Sequence, residues 1–258
     1  MLTEESPVSR AGLDALALKP KEHDLSRAVD LPVDTVNIDY EGHAHFPSDA
    51  VLEALAADKR VFATTPVRAD GFDPLGDDSH LPLLEGVGRV LVAGHGAYLT
   101  ETEATKAIAP RLHAARETAP EAWVGTEGIE RLALAAGGTQ YELLSRGTER
   151  SVRALRAAGY EGRLAVYAPV VLAAEETDIL DAVGGYAARR GPVVRALPEG
   201  ASTDGTATGR AREVLSEAVR DYALVGDAAT VREQTDTLRE AGVDTVVGYP
   251  ARGLDAFF

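Results

Sequence analysis

Short apolar runs rich in β-branched residues alternate along the chain with stretches of helical periodicity. Leu13–Leu18 stops at Lys19-Pro20, Asp34–Asp39 precedes Tyr40-Glu-Gly42, and Arg60–Thr65 stops at Pro66. Arg89–Ala93 runs into Gly94-His-Gly96, and Ala122–Val124 precedes Gly125-Thr-Glu-Gly128. Gln140–Leu144, Arg163–Ala168 and Asp244–Tyr249 complete a set of eight predicted strands. Between them, Asp49–Lys59 carries Val51, Leu52, Leu55 and Ala56 at helical spacing. Thr148–Ala158 carries Val152 and Leu155, and Thr230–Ala241 carries Val231 and Leu238. Gly159 and Gly242 follow where helix C-caps are expected.

Strand–helix alternation predicts a parallel sheet. Eight such units within 258 residues predict a closed (β/α)8 TIM barrel, with residues 1–258 as a single domain. An open doubly wound sheet is the second choice. The small, polar, glycine-rich segment Leu197–Gly209 is expected as a flexible loop around 197–210, between the seventh and eighth strand regions.

Composition narrows the function classes. With 45% hydrophobic and 26% charged residues the chain reads as globular. No apolar run is long enough to span a membrane, and the start lacks the basic and apolar stretches of a signal peptide, so a cytoplasmic protein is expected. The absence of cysteine excludes a disulfide framework, a thiolate nucleophile and a zinc–thiolate site. The 26 basic and 41 acidic residues leave a net charge of −15, which argues against a nucleic-acid partner. Lysine occurs only at positions 19, 21, 59 and 106, so 22 of the 26 basic residues are arginine. This acidic, lysine-poor balance suggests a salt-loving archaeal background, where a Debye length of about 3 Å at molar salt screens self-repulsion. A cofactor phosphate would then rest on backbone N–H groups, hydroxyls and arginine.

In a barrel of this kind chemistry sits at the C-terminal ends of the strands. Asp39 with His43-Ala-His45 could grip a divalent metal, although none of the six histidines follows His113. Gly125-Thr126-Glu127-Gly128 and Ser145-Arg-Gly-Thr148 read either as anion cradles or as ordinary helix caps. No P-loop and no Gly-x-Ser-x-Gly elbow is present, and Gly94-His95-Gly96 lacks the third glycine of a dinucleotide fingerprint.

The order of these motifs resembles the bacterial-luciferase-like barrel superfamily, which includes flavin monooxygenases and deazaflavin-dependent oxidoreductases. The resemblance rests on Gly88-Arg-Val-Leu-Val-Ala-Gly-His-Gly96, Trp123-Val-Gly-Thr-Glu-Gly128, Val225–Val231 and Leu238–Pro250. It implies hydride transfer between coenzyme F420 (a deazaflavin) or FMN and a small organic substrate. It would put Asp39 beside the cofactor ring and Thr65, Pro66 and Val67 on a bulged, often cis, backbone supporting that ring. It would assign Gly125, Thr126 and Gly128 to the ribityl–phosphate chain, and Ser145 and Thr148 to the phosphate. Tyr40 stands where alcohol-oxidising members often carry histidine, so His43 or His95 would be the acid/base. Two other readings stay open: a non-catalytic ligand-binding barrel, and a metal-dependent hydrolase using Asp39, His43 and His45. The expected partners are a small-molecule substrate and a second copy in a homodimer, with neither nucleic acid nor membrane.

Overall fold

Each of the eight predicted strands forms, and each pairs in parallel with its neighbours. The computed structural model describes residues 6–67 and 86–258. Its helices and strands run α1 (Pro7–Arg10), β1 (Ala15–Leu18), β2 (Thr35–Ile38), α2 (Asp49–Asp58), β3 (Arg60–Pro66), β4 (Gly88–Val92), α3 (Glu101–Ala104) and α4 (Ile108–Thr118). They continue with β5 (Trp123–Gly125), α5 (Glu130–Ala136), β6 (Gln140–Leu143), α6 (Thr148–Ala157), β7 (Leu164–Leu172), α7 (Glu176–Ala188), α8 (Gly191–Ala196), α9 (Gly209–Tyr222), β8 (Leu224–Gly226), α10 (Ala228–Ala241) and β9 (Thr245–Pro250).

β1 to β7 pair in sequence order, and β9 closes the ring by pairing with both β7 and β1. The result is a closed eight-stranded (β/α)8 TIM barrel. β8 stands outside that ring and pairs only with the end of β7, at Val170–Leu172. Among the described residues no helix is long and apolar enough to cross a membrane.

The pleat sends alternate residues inward and outward. Outward residues such as Leu16, Leu18, Val36, Ile38, Leu164 and Val166 join the surrounding helices in the largest apolar cluster. Inward residues fill the barrel: alanines at 15, 17 and 165, facing Phe62, Trp123, Tyr141, Tyr167 and Tyr249. The rings form a contiguous series. Centroids lie 4.4 Å apart for Phe62–Trp123, 5.6 Å for Trp123–Tyr141, 6.0 Å for Tyr141–Tyr167 and 6.2 Å for Tyr167–Tyr249.

The seventh unit is larger than the sequence pattern predicts. α7, α8 and α9 lie between β7 and β8 and bury their own apolar cluster, which includes Leu180, Val183, Leu215 and Val219. The segment expected as a flexible loop around 197–210 connects α8 to α9. It is tied to α7 by the Gly205 N–H donating to Asp181 at 2.7 Å, and Arg212 donates back to the Gly205 carbonyl.

Arginine forks hold the opposite end of the barrel, where helices return to strands. Arg156 on α6 donates to the carbonyls of Tyr160 and Gly162, to the Gly242 carbonyl from two nitrogens, and to Asp244, all at 2.8–3.0 Å. Asp244 in turn accepts from the Leu164 N–H at 2.7 Å. Gly242, at φ +116°, ends α10 in the left-handed region and lies against the Arg156 side chain. Arg239 makes the equivalent contact to Gly12 and Asp14, and Asp14 accepts from the Val246 N–H. Lysine cannot reproduce such a planar fork. Arg156→Ala should therefore lower the free energy of unfolding by about 3 kcal/mol, with Arg156→Lys recovering less than half. Urea denaturation reads this, and a loss below about 1 kcal/mol for the alanine variant would contradict the clamp.

Candidate functional site

The C-terminal ends of the barrel strands open into a cavity of about 730 Å³. A groove of about 900 Å³ also lies along α8 and α9, and none of the residues at its walls is Asp39 or His95. Two of its arginines are engaged with carboxylates, Arg212 with Glu176 at 2.6 Å and Arg210 with Glu213 at 3.3 Å. The cavity at the barrel mouth is therefore the candidate site.

At its floor lies Asp39, the first residue beyond β2, with its N–H bonded to the Leu18 carbonyl at 2.8 Å. β2, β3 and β7 supply its side-chain partners. The Tyr167 hydroxyl on β7 donates to Oδ2 at 3.1 Å, and Asn37 Nδ2 on β2 donates to Oδ1 at 2.9 Å. Thr64 Oγ1 on β3 lies 3.5 Å from Oδ1. Asn37 is fully buried, two residues before Asp39 and on the same face of β2, and its Oδ1 has no hydrogen-bond partner among the described residues. Burial raises the Asp39 carboxyl from the usual carboxylate range to about 6, against the opposing effect of the Tyr167 hydroxyl. The Tyr141 and Tyr167 hydroxyls are pushed well above their ordinary value by burial and by the Asp39 charge, so both stay protonated donors.

A second polar group comes from the loops after β4 and β5. His95 Nε2 lies 3.0 Å from Glu127 Oε2, and Arg190 Nη1 lies 3.5 Å from Glu127 Oε1. Arg190 also donates to the Tyr186 hydroxyl. The His95 hydrogen bond, with the charges of His95 and Arg190 behind it, holds the Glu127 carboxyl below its usual value despite burial. The two loops touch backbone to backbone. A Cβ at Gly94 would lie 2.8 Å from the Glu127 carbonyl and 2.4 Å from Ile129, so only glycine fits. Tyr98 completes the wall; burial and the charges of Asp39 and Glu127 push its hydroxyl upward.

The structure distributes the residues singled out in the sequence unevenly. Asp39, His95, Gly125 and Thr126 line the cavity. Thr65, Pro66 and Val67 do not. β3 keeps regular parallel register with β4 as far as Pro66–Val92, and among the described residues no peptide bond is cis, which corrects the expected bulge. Strand parity then turns Thr64 towards the cavity, while Thr65 bonds to the Ala63 carbonyl and Val67 joins the outer apolar cluster with Leu91 and Leu112. The Gly128 N–H is directed at Glu130. Ser145 and Thr148 close a turn on each other, with the Ser145 N–H donating to Thr148 Oγ1 and the Thr148 hydroxyl donating to Glu142 at 3.1 Å. Thr148 is fully buried. The Thr148 hydroxyl is thus taken by Glu142, and Ser145 Oγ accepts from the Gly147 N–H.

His43 and His45 form a short 3-10 turn beyond β2. His45 is exposed, and the His43 side chain lies outside the described residues. Among the described residues no group of three histidine, aspartate or glutamate side chains is placed to hold a metal ion. Among the described residues, the side-chain partners of Asp39 are hydroxyl and amide groups.

Sequence reasoning missed the lining residues Lys19, Lys21, Tyr141, Tyr186, Arg189 and Arg190, and Asn37, which holds Asp39 from beneath the cavity. Two signals for them were present. Asn37 is a polar residue inside an apolar strand with the same parity as Asp39, and Lys19 and Lys21 are half of the lysines in the chain.

Buried His23 fixes the loop that carries those lysines. Its Nδ1 accepts the Lys19 N–H at 3.0 Å and its Nε2–H donates to the Pro250 carbonyl at 2.9 Å, which joins the end of β1 to the end of β9. Burial lowers its pKa, so the folded chain keeps it neutral where the unfolded chain, near 6.5, takes up a proton. Stability attributed to His23 is thus present above pH 6.5 and is lost as pH falls below it. Between pH 7 and pH 5, the native protein should lose stability relative to His23→Gln. Parallel denaturation curves across that range test this, and equal slopes for the two proteins would contradict it.

The residues that build this site lie inside one family match. No curated protein matches the chain. Residues 8–257 match the Family of unknown function (DUF7388), so the match runs from α1 to the residues after β9 and takes in every wall of the cavity. The chain belongs to that family of unknown function, DUF7388.

Proposed function

We propose that the mouth of the barrel performs acid–base chemistry on a small organic molecule, with Asp39 as the group that moves the proton. The fold suits a catalytic or ligand-binding barrel, and one observation carries the catalytic choice. Asp39 is a carboxyl at the C-terminal end of a barrel strand, raised to about 6 by burial and opening on a cavity of about 730 Å³. A proton-transfer group works best with a pKa near the working pH. At neutral pH Asp39 is mostly ionised yet more basic than an exposed carboxylate. The Tyr167 hydroxyl and Asn37 amide fix its orientation. Tyr98 and Tyr141 remain protonated and line the same cavity, so they can donate to an oxygen on which negative charge grows. His95, held by Glu127, is the second proton-transfer group of the site.

Hydride transfer with coenzyme F420 or FMN is the second reading. It is favoured by the aromatic rings of Tyr40, Tyr98, Tyr141 and Tyr167, which line the cavity. Ser145 and Thr148 are engaged elsewhere, so the phosphate of either cofactor would need other residues. A visible-spectrum titration with each cofactor tests this reading, and the absence of binding below about millimolar concentration removes it.

The acid–base reading has a test that needs no substrate. In carbon-13 NMR, comparison with Asp39→Asn identifies the Asp39 carboxyl, whose midpoint should lie near 6. A midpoint near 4 would sink the proposal. Stability supplies an independent check. The folded-state pKa of Asp39 is raised, so ionising it costs the fold nothing below about pH 4 and the full penalty above about pH 6. Asp39→Asn should therefore match the native protein at pH 4 and exceed it at pH 8 by up to about 3 kcal/mol, while losing activity.

A further inference from the structure

We infer that the molecule bound at the barrel mouth carries an anionic group, a carboxylate or a phosphate, that Lys21 and Arg189 hold at the rim of the cavity. This rests on the acid–base reading of the same site and adds the class of its substrate. The chain as a whole carries a charge of −15, yet Lys19, Lys21, Arg189 and Arg190 all line this cavity. The carboxylates there already have hydrogen-bond or ion-pair partners. Glu127 meets His95 and Arg190, Glu41 accepts the Lys21 backbone N–H at 2.7 Å, and Asp39 is held by Tyr167 and Asn37. Lys19 Nζ lies 3.3 Å from Glu22 and 3.9 Å from the centre of the Tyr249 ring.

Two cations are left over. Among the described residues neither the Lys21 ammonium nor the Arg189 guanidinium has a carboxylate partner, and both side chains are exposed. They come from separate elements: Lys21 from the loop that His23 fastens to β9, and Arg189 from the C-cap of α7, where its guanidinium lies 5.7 Å from the Tyr186 ring centre. Unmatched cations at the mouth of a concave site in an acidic protein focus the local field towards anions. The same field orients the ligand. A negative group is repelled by Asp39 and Glu127 and is attracted to the exposed cations of the rim. The reacting part of the molecule then lies against Asp39. Guanidinium and ammonium groups are the usual receptors for carboxylate and phosphate.

The test measures binding of phenyl phosphate, benzoate and neutral benzyl alcohol to the full chain by calorimetry at about 0.15 M and 1 M salt. At least one anion should bind about tenfold tighter than benzyl alcohol and lose that advantage at high salt. The comparison of phenyl phosphate with benzoate separates phosphate from carboxylate recognition. Lys21→Ala and Arg189→Ala should each weaken the anion about fivefold, and the double variant should bind it no better than the alcohol. Lys21→Arg should restore binding, which a merely structural role of Lys21 in its loop would not require. Equal affinity for anion and alcohol, unchanged affinity in the variants, or no binding of either anion at millimolar concentration would overturn the inference. Its failure is separable from that of the acid–base reading: the Asp39 midpoint decides the one, and the charge preference of the rim decides the other.

Discussion

Closing a parallel sheet into a barrel removes every free strand edge, but it leaves a cylinder that inward side chains from all eight strands must fill. That constraint governs both the core and the site here. The chain meets it with large rings on β3, β5, β6, β7 and β9 set against alanine on β1 and β7. Tyrosine brings a hydroxyl into that interior, and a buried hydroxyl needs a partner. Tyr167 finds it in Asp39, and Tyr141 lies beside Asn37 Nδ2 at 3.5 Å. The packing of the barrel therefore delivers hydrogen-bond donors to its own mouth. The carboxyl they meet is difficult to ionise because the rings that position the donors also keep it from water. The features that make the site reactive follow from the way the barrel is filled.

Arginine is used differently at the two ends of the barrel. At the end where helices return to strands, Arg116, Arg156 and Arg239 spend their donors on loop carbonyls and on the carboxylates that start the next strand. Those donors are saturated, and the contacts are structural. At the mouth, Arg190 is shared between Glu127 and Tyr186, and Arg189 is left exposed. The preference for arginine over lysine, read from composition as a sign of habitat, has a local mechanical basis in these clamps. The expectation that an anion would rely on arginine and hydroxyls alone also changes, because Lys19 and Lys21 both reach the cavity.

The barrel was legible in the sequence because β-branched runs ended by proline or glycine mark buried parallel strands directly. Arg60–Thr65 before Pro66 and Asp244–Tyr249 before Pro250 were placed within a residue of β3 and β9. The helices of the seventh unit were not legible. Their apolar faces are built largely from alanine and valine, as in Ala211, Ala218 and Val219 on α9, and the polar segment between α8 and α9 read as a long loop. In the site, Asp39 was found by its position at a strand end, whereas Thr65 was chosen where Thr64 faces the cavity. A single step along a strand reverses the direction of a side chain, and only the register settles it. Ser145 and Thr148 show a different limit: a hydroxyl pair before a helix serves equally as an anion cradle or as a closed turn, and Glu142, six residues before Thr148, decides for the turn.

The joint between β1 and β9 links barrel closure to the chemistry at the mouth. β9 pairs with β1 at only two positions, Ala15–Val247 and Leu16–Gly248. Beyond those, the contact is carried by side chains: His23 bridges the Lys19 N–H and the Pro250 carbonyl, and Glu22 accepts from Tyr249. The Tyr249 ring that belongs to the barrel core thus stacks on Tyr167, which holds Asp39, and also supports Lys19 at the rim. Loosening this joint would disturb the floor and the rim of the cavity together. A neutral histidine suits the position because it donates on one side and accepts on the other, whereas a protonated one could only donate. The seam that completes the barrel thereby supports both Tyr167, which holds Asp39, and Lys19 at the rim.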